Sequence, residues 1–183
     1  MKKGVGILSN KPSIEMLNKL FLNSLGENVE SHSSTSIKPL IVKLKPPYNN
    51  CIKVYIYNCT NPIGARQTGE FKSQLILPNQ RRGQRGKFEL ELNIKTLLIG
   101  FASVTGDMDD GVFVLWELKK HMEFAYSSNV QISLKALLQT EMEPMFTMKK
   151  RGNNETVILS KPKKLLEAIQ KRIEVDIDLL LEE

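Results

Sequence analysis

The chain has 183 residues, 41% of them hydrophobic and 25% charged, which suits a folded domain with its own core and argues against a disordered chain. Its 26 Lys and Arg against 20 Asp and Glu leave a net charge of +6, a balance that favours a polyanionic partner. The longest apolar runs are far too short to span a bilayer, and the amino terminus lacks the apolar stretch and small-residue cleavage pattern of a secretory signal.

Residues 1–50 read as an amino-terminal accessory helix and linker. Ser13, after Pro12, is placed to cap a helix whose apolar positions Ile14, Leu17, Leu20, Phe21 and Leu25 follow helical spacing, and Gly26 ends it. The polar run ESHSSTS at 30–36 predicts a loop, and Pro39, Pro46 and Pro47 punctuate the stretch between it and Cys51.

From Cys51 the pattern turns to strands. In CIKVYIYNC, Ile52, Val54 and Ile56 alternate with Lys53, Tyr55 and Tyr57; SQLILP predicts a short strand closed by Pro78. KFELELNIK sets Phe88, Leu90, Leu92 and Ile94 against Glu89, Glu91 and Asn93, the cleanest period-two pattern in the chain. TLLIGFASV and GVFVLWEL predict deeply buried strands, and NVQISLKAL and TVILS further ones. Turn chemistry lies at 79–86, 106–111 and 151–154. About seven short strands so spaced predict an antiparallel barrel or sandwich.

A helix is expected after TVILS, with Ser160 as cap, Pro162 in its first turn and an apolar stripe of Leu165, Leu166, Ile169 and Ile173. Residues 174–183 form an acidic tail, or a linker to another module. Cys51 and Cys59, the only cysteines, lie eight apart along an expected strand and have no metal-ligand spacing. They predict two small thiols in a reducing cytoplasm, not a disulfide.

The charge is concentrated. Residues 61–87 (NPIGARQTGEFKSQLILPNQRRGQRGK) hold Arg66, Lys72, Arg81, Arg82, Arg85 and Lys87 against one acid, Glu70, and include four glycines. Arginine and glutamine on glycine-punctuated loops reach phosphates and base edges. The loop at 61–72 offers Arg66, Gln67, Thr68, Glu70 and Lys72; Arg pairs bidentately with guanine, Gln with adenine, and Glu accepts from cytosine. A second loop at 119–131 offers Lys119, Lys120, His121, Glu123, Tyr126, Ser127, Ser128, Asn129 and Gln131. The turn at 79–87, with Arg81, Arg82 and Arg85, is suited to phosphate contacts that add affinity without sequence information. Against these readings stands the plain one, that such charges only solvate loops and that Phe124 and Tyr126 pin the second loop to a core.

The succession of strand, NPIGARQTGEFKSQLILP, basic turn, strand and GVFVLWELKKHMEFAYSSNVQ resembles the plant-type B3 DNA-binding domain of bacterial restriction endonucleases. The resemblance covers residues 52–173. It implies a mainly β fold, a seven-stranded open pseudobarrel with flanking short helices. It further implies sequence-specific recognition of double-stranded DNA, the major groove being gripped between two loop arms. Arg66, Gln67, Thr68, Glu70 and Lys72 would lie on the first arm, and Lys119, Lys120, His121, Tyr126, Ser127, Ser128 and Asn129 on the second. A catalytic nuclease or motor module, on this chain or another, would be the partner, with no cofactor in this domain.

A rival motif points to catalysis within the chain. Glu117, Leu118 and Lys119 form an E-x-K triplet with Asp107, Asp109 and Asp110 upstream, as metal-dependent PD-(D/E)XK nucleases use. Only seven residues separate Asp110 from Glu117, which leaves little room for such a centre. The chain has no phosphate-cradling glycine motif. His32 and His121 lack spaced partners, and Met142, Met145 and Met148 fit a core or interface better than chemistry.

Overall fold

A computed structural model describes residues 11–61 and 69–181. Helix α1 (Ile14–Leu25) forms where expected: Ser13 Oγ accepts from the Met16 amide at 3.2 Å, and Gly26, at φ 57°, ends it. Its buried face holds Leu17, Phe21 and Leu25. Asn18 on the same face donates to the carbonyls of Thr35 and Ile37 at 2.8 and 3.0 Å, fastening the loop that follows β1. Strands β1 (Val29–His32) and β2 (Leu40–Leu44) come next, so the stretch expected as an accessory region supplies one helix and two strands of the main sheet.

Strand β3 (Cys51–Asn58) matches the first alternating run. A ribbon strand β4 (Glu70–Gln74) and a two-residue strand β5 (Gly86–Lys87) precede the long β6 (Ile94–Ser103) and β7 (Gly111–Trp116). Then come β8 (Glu123–Phe124), β9 (Asn129–Ser133), helix α2 (Leu134–Met142), β10 (Thr147–Lys150), β11 (Thr156–Ser160) and helix α3 (Leu165–Leu181).

Seven strands form one mixed sheet in the order β1-β2-β3-β6-β7-β11-β10. Every neighbouring pair is antiparallel except β3 and β6, which run parallel from Cys51 against Ile94 to Asn58 against Phe101. The chain is therefore mainly β, but the expected all-antiparallel pairing gives way at the centre of the sheet. The sheet is open, with β1 and β10 at its edges, and does not close into a barrel. Two small antiparallel ribbons, β4-β9 and β5-β8, lie apart from it.

Period-two alternation sends the side chains of the central strands to two cores. Ile52, Val54 and Ile56 of β3, Leu97, Ile99 and Phe101 of β6, and Phe113 and Leu115 of β7 pack under α1 and α3. Tyr55, Tyr57, Leu98, Val112, Val114 and Trp116 face the other way, beneath the ribbons and α2, with Phe71, Phe88, Phe124, Val130 and Ile132. Burial on both faces explains why β6 and β7 read as nearly continuous apolar runs.

Three expectations fail locally. KFELELNIK forms no long strand: only Lys87 joins β5, Phe88 is buried, and Leu90 and Leu92 are 63% and 94% exposed. Alternation alone does not make a strand where no neighbour offers a ladder, and Asn93, at φ 65°, turns the chain into β6 instead. NVQISLKAL is a strand only as far as Ser133, whose hydroxyl accepts from the Ala136 amide and starts α2. Ser160, expected as a helix cap, belongs to β11, and α3 runs on through the acidic stretch to Leu181. Both cysteines are free thiols, Cys59 fully buried and its pKa pushed by that burial up to about 12. No helix among the described residues is long and apolar enough to cross a membrane.

Candidate nucleic-acid interface

The two stretches singled out as reading loops meet in one ribbon. β4 and β9 pair antiparallel with Glu70 opposite Ser133, Lys72 opposite Gln131 and Gln74 opposite Asn129. Phe71, Val130 and Ile132 point into the core, so Glu70, Lys72, Gln74, Asn129, Gln131 and Ser133 share the opposite face. That face holds charged groups, amides and a hydroxyl, and no large apolar side chain. At one end Gln74 Nε2 donates to the Tyr126 carbonyl, the Leu75 amide to the Ser128 carbonyl at 3.0 Å, and Asn129 Nδ2 to the Ser127 carbonyl at 3.0 Å. Ser127 and Ser128 thus act here through backbone groups, and Tyr126 is half-buried. On the edge of β4 away from β9, Thr60 bridges to Lys72 through a pair of 2.9 Å backbone hydrogen bonds. Arg66, Gln67 and Thr68 lie outside the described residues.

The basic turn is organised by its own glutamines. Gln80 Oε1 accepts from the Leu77 amide at 2.9 Å, Gln80 Nε2 donates to the Gln84 carbonyl at 2.9 Å, and Gln84 Oε1 accepts from the Arg81 amide at 3.0 Å. Gly83 sits at φ 84°, where a side chain would be strained. Gly86 anchors the base, because a Cβ there would collide with the Phe124 ring. Arg81, Arg82 and Arg85 are exposed on this braced turn and pair with no carboxylate among the described residues.

The described lysines of the segment are already engaged. Lys72 meets Glu70 at 3.0 Å and Lys87 meets Glu123 at 3.0 Å, while the buried Lys53 pairs with Glu91. Among the described residues, the charge cluster read from the sequence therefore divides into ion-paired lysines and the exposed arginines of the turn. The Lys87–Glu123 pair could not be seen in the sequence, because the two residues come together only across the β5-β8 ribbon.

The second loop divides in two. Lys119 and Lys120 are exposed on a short 3-10 helix, Leu118–His121. His121 turns inward instead: its Nε2 donates to Glu155 Oε1 at 2.7 Å, and Arg151 Nη1 donates to Glu155 Oε2 at 3.1 Å. Glu155 is wholly buried, which alone would raise its pKa; the hydrogen bond and charge of His121, with Arg151 and Asn153, outweigh burial and hold it below the usual range.

Glu117, the acid of the E-x-K triplet, is 3% exposed and accepts from the Thr156 amide at 3.1 Å. Beneath it Arg172, 1% exposed, joins α3 to β11: Nη1 donates to the Thr156 carbonyl and Nη2 to Asp176, each at 2.6 Å. Glu117 therefore belongs to a framework that ties β7, β11 and α3 together. Asp107, Asp109 and Asp110 lie in a separate loop in which Asp107 Oδ1 accepts from the Asp109 amide. Among the described residues no three His, Cys, Asp or Glu side chains group as a metal centre would need.

Comparison with known proteins adds a family. A family model described as Methylase-associated X1 matches residues 51–169, from the first residue of β3 into α3. No curated protein and no solved structure matches the chain. With its ribbons, basic turn and five of the seven strands of the main sheet inside the matched span, the chain belongs to the Methylase-associated X1 family, which links it to restriction–modification-associated proteins.

Proposed function

We propose that this chain is a sequence-specific double-stranded DNA recognition domain of a restriction–modification system, delivering a separate catalytic or motor module to its site. The observation that carries the reading is the polar row of β4-β9 next to a braced turn whose three arginines pair with no carboxylate among the described residues. A two-stranded ribbon fits the major groove, where Gln74, Asn129 and Gln131 offer the paired donor and acceptor that adenine matches. Arg81, Arg82 and Arg85 would meet phosphates and fix the ribbon's register. Lys119 and Lys120 would extend the same contact from the second arm, and Arg66, Gln67 and Thr68 from the first. In this reading the two small ribbons and part of the main sheet correspond to the open pseudobarrel of B3-like domains.

Glu70 beside Lys72 supports reading over mere adhesion, since an acid in a DNA-facing row costs affinity and is useful only where it discriminates bases. The test is a binding-site selection on randomised duplexes without magnesium, followed by a gel shift on the enriched sequence. Recovery of one consensus, bound far more tightly than random duplex, is the expected result. Equal retention of all sequences would reduce the domain to a phosphate binder, and failure to retain any duplex at low salt would refute the proposal.

A further inference from the structure

Resting on the DNA-recognition reading above, we infer that Lys38 is a further phosphate-contacting residue of this interface, an ammonium held on the ring of Tyr57 beside the basic turn. Lys38 lies among the first fifty residues, far in sequence from the charged segment. Its Nζ stands 3.6 Å from the centroid of the Tyr57 ring, at the end of β3 on the sheet face that the ribbons cover. Tyr57 in turn donates from its hydroxyl to the Ile76 carbonyl at 3.1 Å. Ile76 is followed directly by Leu77, where the glutamine-braced turn carrying Arg81, Arg82 and Arg85 begins. One tyrosine therefore links the Lys38 ammonium to the start of the arginine turn.

The partner of Lys38 sets it apart. Lys43, Lys53, Lys72 and Lys87 each pair with a glutamate, whereas Lys38 has a ring face and no carboxylate among the described residues. An aromatic face holds a cation in place without neutralising it, so the charge remains for an incoming anion. Burial lowers the Lys38 pKa to about 8, with no charged neighbour contributing. The titratable groups packed against it are the Tyr57 phenol, itself raised by burial and by Tyr55, and behind that Tyr55, which feels Glu89. A phosphate brought against this amine would favour its charged form. Because the charged form binds, the contribution is complete below about pH 8 and fades as pH rises through that value.

The experiment measures affinity for a mixed-sequence duplex, as a function of salt and pH, for the whole chain and for the variants Lys38→Gln and Lys38→Arg, each checked for folding by circular dichroism. Wild type should lose about tenfold in affinity between roughly pH 7 and pH 9. Lys38→Arg, charged throughout, should bind comparably at neutral pH and lose that dependence. Lys38→Gln should flatten the pH profile too, and reduce the salt slope at neutral pH by about 0.9, one phosphate's worth. If both variants keep the wild-type pH profile and salt slope while binding persists, Lys38 is not a contact, although the domain still reads DNA. If wild type retains no duplex, the DNA reading and this inference fall together.

Discussion

His121 and Glu155 stand 34 residues apart in sequence and meet at 2.7 Å over a carboxylate with no exposed surface. The contact fixes the start of the second arm to the turn before β11, and it gives the stability of the fold a dependence on acid. Glu155 is held below its usual range, so its share of stability is complete above the unfolded value of about 4.5 and is lost as pH falls through the lower, folded value. His121→Ala should cost about 1–3 kcal/mol in urea unfolding at neutral pH, by leaving a buried acceptor short of a partner. It should leave the salt slope of DNA binding unchanged. A shallower slope in a stably folded variant would return His121 to the interface.

Arg81→Ala, Arg82→Ala and Arg85→Ala together should reduce the dependence of log affinity on log salt by up to about 2.7, or about 0.9 for each phosphate no longer neutralised. The consensus should survive, because phosphate contacts carry no base information. An unchanged slope would mean that the turn faces away from DNA.

Glu70→Gln tests the ion pair on the ribbon. Removing the carboxylate releases Lys72 from its 3.0 Å partner, so affinity for random duplexes should rise and the salt slope should steepen by about 0.9. Preference for the selected sequence should fall at the same time. Random-duplex affinity that stays level or drops would show that Glu70 does not oppose the backbone charge.

Gly86→Ala should damage the base of the turn. The new methyl would collide with the Phe124 ring, in a core already filled by Phe88 at 5.1 Å between ring centroids, and overpacking of that kind costs about 1–3 kcal/mol. Unfolding by denaturant measures it; a loss well under about 1 kcal/mol would show that the β5-β8 ribbon yields easily.

Glu117→Gln separates structure from catalysis. The amide oxygen can still accept from Thr156, so the variant should fold with a loss of about 1 kcal/mol, bind duplex DNA as before, and show the same background level of magnesium-dependent cleavage as wild type. Cleavage by the wild-type chain that the substitution abolishes would establish a nuclease in this domain.

The elements legible in the sequence are those whose pattern and neighbours agree. α1 carries both its cap and its stop, and β3, β7 and β11 carry apolar runs bounded by turn residues. Residues 87–95 are instructive in the other direction, since Leu92 has the right spacing for a strand and yet is almost wholly exposed. Sequence spacing records which residues could share a face, but pairing is decided by what stands alongside. β1, β2 and the parallel meeting of β3 with β6 are long-range events of that kind, with no local mark. The same limit applies to the site. Arg81, Arg82 and Arg85 are visible as a cluster, whereas Lys38 sits in a proline-marked stretch and is brought to Tyr57 only by the β2-β3 pairing.

On the DNA-recognition reading, the parallel pairing of β3 with β6 has a consequence for how the domain would change its target. The chain leaves the sheet after Asn58 and returns at Ile94 on the neighbouring strand, so the intervening excursion begins and ends at the middle of the framework. Its ladder to the rest of the protein is made through β9, with a shorter one through β8. On the DNA-recognition reading, replacing the excursion together with residues 122–133 would exchange the reading head while the seven strands, α1, α3 and the His121–Glu155 contact stay as they are. Such a hybrid should unfold at nearly the parental denaturant midpoint while selecting a new consensus, and a large drop in that midpoint would show that frame and head are one cooperative unit. What such an exchange has to keep is the apolar face that Tyr55, Tyr57 and Trp116 of the sheet present to Phe71, Phe88, Phe124 and Ile132 of the ribbons.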